Sequence, residues 1–206
     1  IVFKGKTFAI VRPGTTLTAA NGNIIVYADS KEKVIMIVLG GGAGGTAAVN
    51  GSFAVLVMNV TTQARVEDGT SGNGSSLSAA KGSVTVKATD TTDLNLNTGN
   101  ANVGGAAAVG AAIEVAVYRN TVTAMIGNYN TVTAKSILVQ AIADRDIQAA
   151  AVMASASGTA SINGSILVLS IGAGTTDPDA NKAETNGGGN SSDKASKEAS
   201  ERGQAA

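Results

Sequence analysis

The 206-residue chain has no cysteine, no histidine and no tryptophan, only two prolines, and aromatic residues make up 3% of it. Without cysteine no disulfide framework and no thiol chemistry is possible, and without histidine the Cys/His metal sites and the Ser-His-Asp relay are excluded. The shortage of aromatics removes the bulk that fills a thick globular core. Neither sign of charge is in excess. Fifteen basic residues balance fifteen acidic ones, for a formal net charge of zero, which argues against a nucleic-acid groove. The start, Ile1-Val2-Phe3-Lys4-Gly5-Lys6, has neither the apolar region nor the cleavage site of a signal peptide. Both ends read as cuts from a longer chain.

What is present is Gly, Ala, Ser, Thr, Asn and Val, a composition suited to thin, regular, stacked layers, and it is arranged in repeats. Residues 23–28 (NIIVYA) align with 83–88 (SVTVKA) and 136–141 (SILVQA). Some twenty residues on, at the same offsets and without a gap, residues 46–52 align with 106–112 and 159–165, and residues 53–57 with 113–117 and 166–170. The columns alternate with period two. Ile24, Val84 and Ile137 share one column; Val26, Val86 and Val139 another; Ala28, Ala88 and Ala141 a third. The column Tyr27, Lys87 and Gln140 between them accepts any residue, the mark of a strand with one buried face. In a second strand Val34, Leu94 and Ile147 point in and Ile35, Asn95 and Gln148 point out.

Gly45, Gly105 and Gly158 form one column, and Asn50, Gly110 and Asn163 another. Interchange of Asn with Gly points to left-handed corners between short strands, and short strands with such corners at fixed spacing describe a solenoid. A sandwich of unrelated hairpins is the other reading, but its strands have no reason to repeat in register. Residues 34–64 and 147–176 carry no charge and exceed the length of a spanning helix. The period-two columns and the run Gly40-Gly41-Gly42-Ala43-Gly44-Gly45 speak against helix there. Residues 67–76 form a turn-rich insertion that shrinks to Gly127-Asn128-Tyr129-Asn130 in the second copy, as expected of a loop on one face. From Thr175 the chain turns polar and mixed in charge, and reads as a flexible loop or linker.

Chemistry is hard to find. Asp29, Glu67, Asp68, Asp90, Asp93, Asp144 and Asp146 are expected in turns. Glu114 is the one acid within a predicted strand. Its column partners are Ala54 and Leu167, and it is expected to face solvent with nothing to pair it. No pair of carboxylates suggests a carbohydrase. The glycine run lacks the Gly-Lys-Ser/Thr ending of a phosphate loop. Asp177-Pro178-Asp179 has oxygens for calcium but reads better as a plain turn. The Thr-x-Thr steps at Thr121-Val122-Thr123 and Thr131-Val132-Thr133 form no rank. No catalytic, cofactor-binding or metal-binding residue is assigned, and no cofactor. One oddity is the first copy's outward face, which holds Ile25, Ile35 and Ile37. The nearby apolar cluster of Phe3, Phe8, Ile10 and Val11 is expected to cover it, packing against the strand around residues 34–39.

The succession Gly104-Gly105-Ala106-Ala107-Ala108-Val109-Gly110-Ala111, then Asn120-Thr121-Val122-Thr123-Ala124-Met125-Ile126-Gly127, then Val132-Thr133-Ala134 resembles the recurring unit of leukotoxin-type, filamentous-haemagglutinin-like adhesins of fusobacteria and related Gram-negative bacteria. The resemblance covers roughly residues 17–172. The first copy departs from it, with Ala64-Arg65-Val66-Glu67-Asp68 in place of the Ala-x-Ile-Gly step. It implies a very large exported protein, moved across the outer membrane by a partner β-barrel, secreted or held at the cell surface, and folded as a right-handed parallel β-helix that adheres to host cells or kills leukocytes. The expected architecture is therefore an all-β solenoid over residues 1–174, with repeats over about 17–76, 77–131 and 132–174, followed by a linker over 175–206. The expected role is a structural or adhesive rod segment without chemistry of its own. Its partners would be a host-cell surface receptor or glycan, or further copies along the rod, and no nucleic acid. The alternatives are a membrane-engaging toxin segment and a polysaccharide-binding or -cleaving β-helix.

Overall fold

Proline cannot donate to a strand ladder, and the first of the two prolines, Pro13, sits in a turn. Apolar or small residues alternate for long stretches with nothing to stop them. In the computed structural model, which describes residues 1–172, the strands are correspondingly long. They are β1 (Val2–Val11), β2 (Thr16–Thr18), β3 (Ile24–Gly44), β4 (Ala47–Val66), β5 (Ser76–Gly104), β6 (Ala107–Ile126), β7 (Thr131–Ser157) and β8 (Ala160–Gly172). β5 alone has 29 residues, against a usual length of roughly 3–10. The expectation of short strands is thus corrected. The expected linker over 175–206, with Asp177-Pro178-Asp179, lies outside the described residues.

Every pairing is parallel. One sheet has the order β1-β4-β6-β8. In the other, β5 is central, with β7 along one edge and β2 and β3 end to end along the other. The registers are the sequence offsets: Ile24 lies beside Val84, and Val84 beside Ile137. Val49 lies beside Val109, and Val109 beside Ile162. The chain therefore visits the two sheets alternately, and their inner faces share one core.

That core is buried in proportion to how many neighbours a strand has. β5 is flanked on both sides, and its inward Val84, Val86, Ala88, Leu94 and Leu96 are fully buried, as are Leu77 and Ala79 at its start. Met58, Val60, Ala64 and Val66 face them from β4. Full burial of each such Val or Leu contributes about 1.5–3 kcal/mol. β7 and β8 are edges, and no described strand covers their outer side. Their inward Ile137, Val139, Leu167, Leu169 and Ile171 are exposed for that reason.

The glycine columns have a different cause from the expected one. The sheets are joined at residues 45–46, 105–106 and 158–159, where backbones of successive layers touch. A Cβ on Gly105 would lie 1.9 Å from the Gly45 carbonyl oxygen. Asn50, Gly110 and Asn163 are not left-handed corners. They are inward strand residues, and a Cβ on Gly110 would lie 2.2 Å from the Asn102 amide and 2.5 Å from that of Asn163. True left-handed backbone occurs elsewhere, as at Gly14 after Pro13 (φ 74°), where a Pro-Gly turn requires it. Loops do fall at residues 67–75 and 127–130.

Residues 3–11 are ordered, as expected, but they do not cover the isoleucines. β1 extends the other sheet beside β4, with Phe3 next to Met58 and Val11 next to Val66. Ile35 and Ile37 stay 59% and 62% exposed. Backbone pairing decided the matter, because an unpaired β4 edge offers β1 a row of hydrogen bonds that an outer face cannot.

Val86→Asp is expected to lower stability by several kcal/mol, since it buries an unpaired carboxylate. Lys87→Asp loses only a cation–π contact with Tyr27 (5.9 Å) and is expected to be nearly silent in urea melts. Equal losses for the two would mean that the inward and outward columns have been misassigned.

Candidate functional site

The inner space holds more than apolar side chains. Following the alternation from Val84 through Ala88 places Asp90 and Thr92 inward on β5, and following it on β6 places Tyr118 and Asn120 opposite. All four are buried. Asp90 accepts bonds from Thr62 Oγ1 (3.1 Å), from Thr92 Oγ1 (3.0 Å) and from the Asn120 amide. Asn120 also donates to the Tyr118 hydroxyl at 2.8 Å. That hydroxyl donates in turn to Thr92 Oγ1, whose own proton goes to Asp90. The Arg145 guanidinium lies 5.7 Å from the Tyr118 ring centroid. In the neighbouring layer Ser30 donates to Glu32. This polar belt divides the core into two apolar clusters, one around Val84 and Val86, the other around Leu94 and Leu96.

A second polar group lies near the inter-sheet turns. Thr98 donates to Glu114, Asn100 Nδ2 to the Ala111 carbonyl (2.9 Å), and Asn102 Nδ2 to the Val109 carbonyl (3.1 Å). Glu114 is fully buried, so the expectation that it faces solvent unpaired is corrected. Its column partners, Ala54 and Leu167, were the available signal. The expectation of acids in turns holds for Glu67 and Asp68 but fails for Asp29, Asp90, Asp93, Asp144 and Asp146, which sit in strands. Among the described residues no three acids gather as a metal site would need.

Burial is the largest influence on Glu32 and raises its carboxyl above the ordinary 4.5; the Ser30 bond works against this and nearby Asp90 adds to it. Burial likewise raises the Tyr118 phenol. On the surface, an open depression of about 270 Å³ is lined by Arg65, Glu67, Asp68 and Met125. Its charges are already engaged. Arg65 pairs with Glu67 at 2.9 Å, and Asp68 accepts from the Asn128 backbone at 2.6 Å.

The outer face of the β4-β6-β8 sheet is different in kind. Val49, Val109 and Ile162 form one outward column, Phe53, Ile113 and Ile166 a second, and Val55, Val115 and Val168 a third. Gly51, Ala111 and Gly164 stand between the first two. The face carries no charge across three layers, and Val49 and Phe53 are 80% and 67% exposed. Further along the same strands it turns polar, with Asn59, Gln63, Arg65 and Arg119. A contiguous apolar face of this kind marks an interaction surface.

No family model, curated protein or solved structure matches this chain. Among the described residues no helix is long and apolar enough to cross a membrane.

Asp90→Ala leaves the donors of Thr62, Thr92 and Asn120 without their acceptor and is expected to cost about 1–3 kcal/mol in a denaturant melt. The Glu32 carboxyl holds its proton in the folded chain at a pH where the unfolded chain has released it. Stability is therefore expected to fall as pH rises from about 4.5 through the raised folded value. Glu32→Gln should flatten that part of a melting-temperature profile recorded in dilute solution; an unchanged slope would assign it to another group.

Proposed function

We propose that the chain is a segment of a right-handed parallel β-helix that serves as a structural and adhesive rod of a secreted or cell-surface protein, with no chemistry of its own. The observation that carries this reading is the apolar outer face built from the same columns in three successive layers. Stacked layers about 4.8 Å apart give such a face a regular, extendable form. Repetition along a rod multiplies weak contacts into avidity. The partner is a host-cell surface receptor or glycan, and the receptor fits better. A glycan calls for hydrogen-bond donors and acceptors, and the columns of Val, Phe and Ile offer none, whereas a protein's apolar patch matches them.

The same face favours a second reading, a segment that engages a lipid bilayer. Two measurements separate them. Adhesion to immobilised host-cell surface protein is expected to fall about tenfold or more for Phe53→Asp and for Ile166→Asp, both outward substitutions, and dye-loaded liposomes should stay intact with the unaltered chain. Dye release that the same substitutions abolish would replace the adhesive reading with the membrane one.

A further inference from the structure

Near the inter-sheet turns the strands are polar inside and apolar outside. Thr98, Asn100 and Asn102 are buried there, and Asn50 reaches Asn100 from the layer beside them. Outside, the middle layer presents Gly99, Ala101 and Val103 from β5, then Ala107, Val109 and Ala111 from β6. Between Asn97 and Arg119 none of its outward side chains can form a hydrogen bond. The layers on either side repeat the pattern, with Leu39 and Val152 beside Gly99, and Val49 and Ile162 beside Val109. The exceptions are Thr46 and Thr159, in the turns themselves. The result is a ridge that is apolar on both outer faces.

Val103 and Val109 have a strand on each side of them and are still 58% and 41% exposed. Further layers above or below would lengthen the ridge without covering it. Residues 173–206 hold no Val, Ile, Leu, Met or aromatic residue to lay against it. Its backbone is satisfied from within the protein. Gly105 N donates to the Gly44 carbonyl (3.0 Å), Ala106 N to that of Thr46 (2.8 Å), Gly158 N to that of Gly105 (3.2 Å) and Thr159 N to that of Ala106 (3.1 Å). Hydrocarbon asks for both features, a backbone bonded within the protein and polar side chains turned inward. A protein patch would cover one face of the ridge, whereas lipid surrounds both faces and the turns. At about 3.3 Å per residue, the stretch from Gly99 to the turn is roughly 20 Å deep. The hydrocarbon of one leaflet is about 15 Å. Beyond that depth come the amides of Asn95, Asn97 and Gln148, then both signs of charge at Lys33, Asp93 and Asp146. That order matches a zwitterionic headgroup layer and selects no lipid of one charge.

We propose that this ridge seats in one leaflet of a lipid bilayer, with Leu39, Val103 and Val152 on one of its faces and Val49, Val109 and Ile162 on the other against acyl chains. The contact is added to the one proposed for the rod. The Phe53 and Val55 columns lie farther from the turns and stay available to a protein. The inference goes beyond the adhesive reading and rests on the layered architecture alone.

Flotation with phosphatidylcholine vesicles tests it. The unaltered chain is expected to float with them in low and in high salt. Val103→Glu should weaken that binding about tenfold or more, because an acid must then enter hydrocarbon. Val103→Trp puts an indole into a chain that has none, and bromines on the acyl chains should quench it. Tyr27→Trp, on the same outer face but far from the turns, should escape quenching. Dye trapped in the vesicles should stay inside, since one leaflet is entered and not two. Far-UV circular dichroism of Val103→Glu should match that of the unaltered chain; if it does not, Leu39→Glu on the neighbouring strand carries the same comparison. A chain that does not float, binding indifferent to the acid, an unquenched indole at position 103 or released dye would each overturn the proposal. So would a dimer that forms without vesicles and that Val103→Glu dissolves, because a second copy would then occupy the ridge. Val103 lies on the sheet opposite Phe53 and Ile166. Val103→Glu should therefore leave adhesion to immobilised host-cell surface protein intact, and that assay judges the adhesive reading separately.

Discussion

In a parallel ladder of constant register, the side chains above and below any residue are set by the sequence offset between the paired strands. Here that offset puts Val86 between Val26 and Val139, and Val109 between Val49 and Ile162. One strand's choice of residue is thereby imposed on the next. Small residues must stack on small ones where backbones touch, as at Gly45 and Gly105, and apolar residues must stack on apolar ones inside. Core, turns, outward columns and open edges are all consequences of this one pairing rule. The rule also explains why the core is complete only in the middle. A layer buries its inward side chains against the layers on either side, and among the described residues the outermost layers have such a neighbour on one side only.

The polar belt around Asp90 serves the same register in another way. Apolar columns of Val, Ala and Leu are nearly interchangeable, so a slip of two residues along the strand costs them little. Asp90, Thr92, Tyr118 and Asn120 are not interchangeable. Their bonds to one another and to Thr62 form only when β4, β5 and β6 are in the observed positions. A displaced β5 would set a carboxylate against aliphatic carbon, at a cost of several kcal/mol. The belt thus adds specificity where the repetitive core supplies mostly bulk.

Much of the strand architecture was legible in the sequence because period-two columns survive in all three copies. The inward positions from Ile24 to Ala28, with their counterparts from Val84 and Ile137 onward, pair as their spacing implies. What was misread has a common origin. Residue type alone points polar side chains to turns or solvent, whereas Asp90 and Glu114 continue the inward alternation of their neighbours. The Asn50, Gly110 and Asn163 column resembles a corner because Asn and Gly share a tolerance of left-handed backbone. They also share the property of fitting a tight polar ladder, Asn by bonding into it and Gly by making room for its neighbours. Hydrophobicity alone matches residues 3–11 to the isoleucines, but an unpaired backbone edge has the stronger claim. The outer face of Val49, Phe53 and their counterparts lay in plain view as a charge-free stretch, but whether it faced in or out depended on parity along strands whose length was not foreseen.

Parity has a further consequence at one corner of the fold. Inward residues are odd-numbered up to Ala79 and even-numbered from Val84; in the next layer they are even up to Ala134 and odd from Ile137. The connecting stretch differs by two residues between these layers, and the ladder absorbs the difference at a register shift between Ala79 and Ser83. Had it differed by one, every later side chain of the strand would have turned over, bringing Lys87 inside and Val86 out. The stretches at 67–75 and 127–130 differ by an odd number and do no harm, because they lie in loops where the pairing is interrupted. The fold therefore imposes a reading frame of its own. Residues can be added freely in number at one corner, but at the other they are admissible only in pairs.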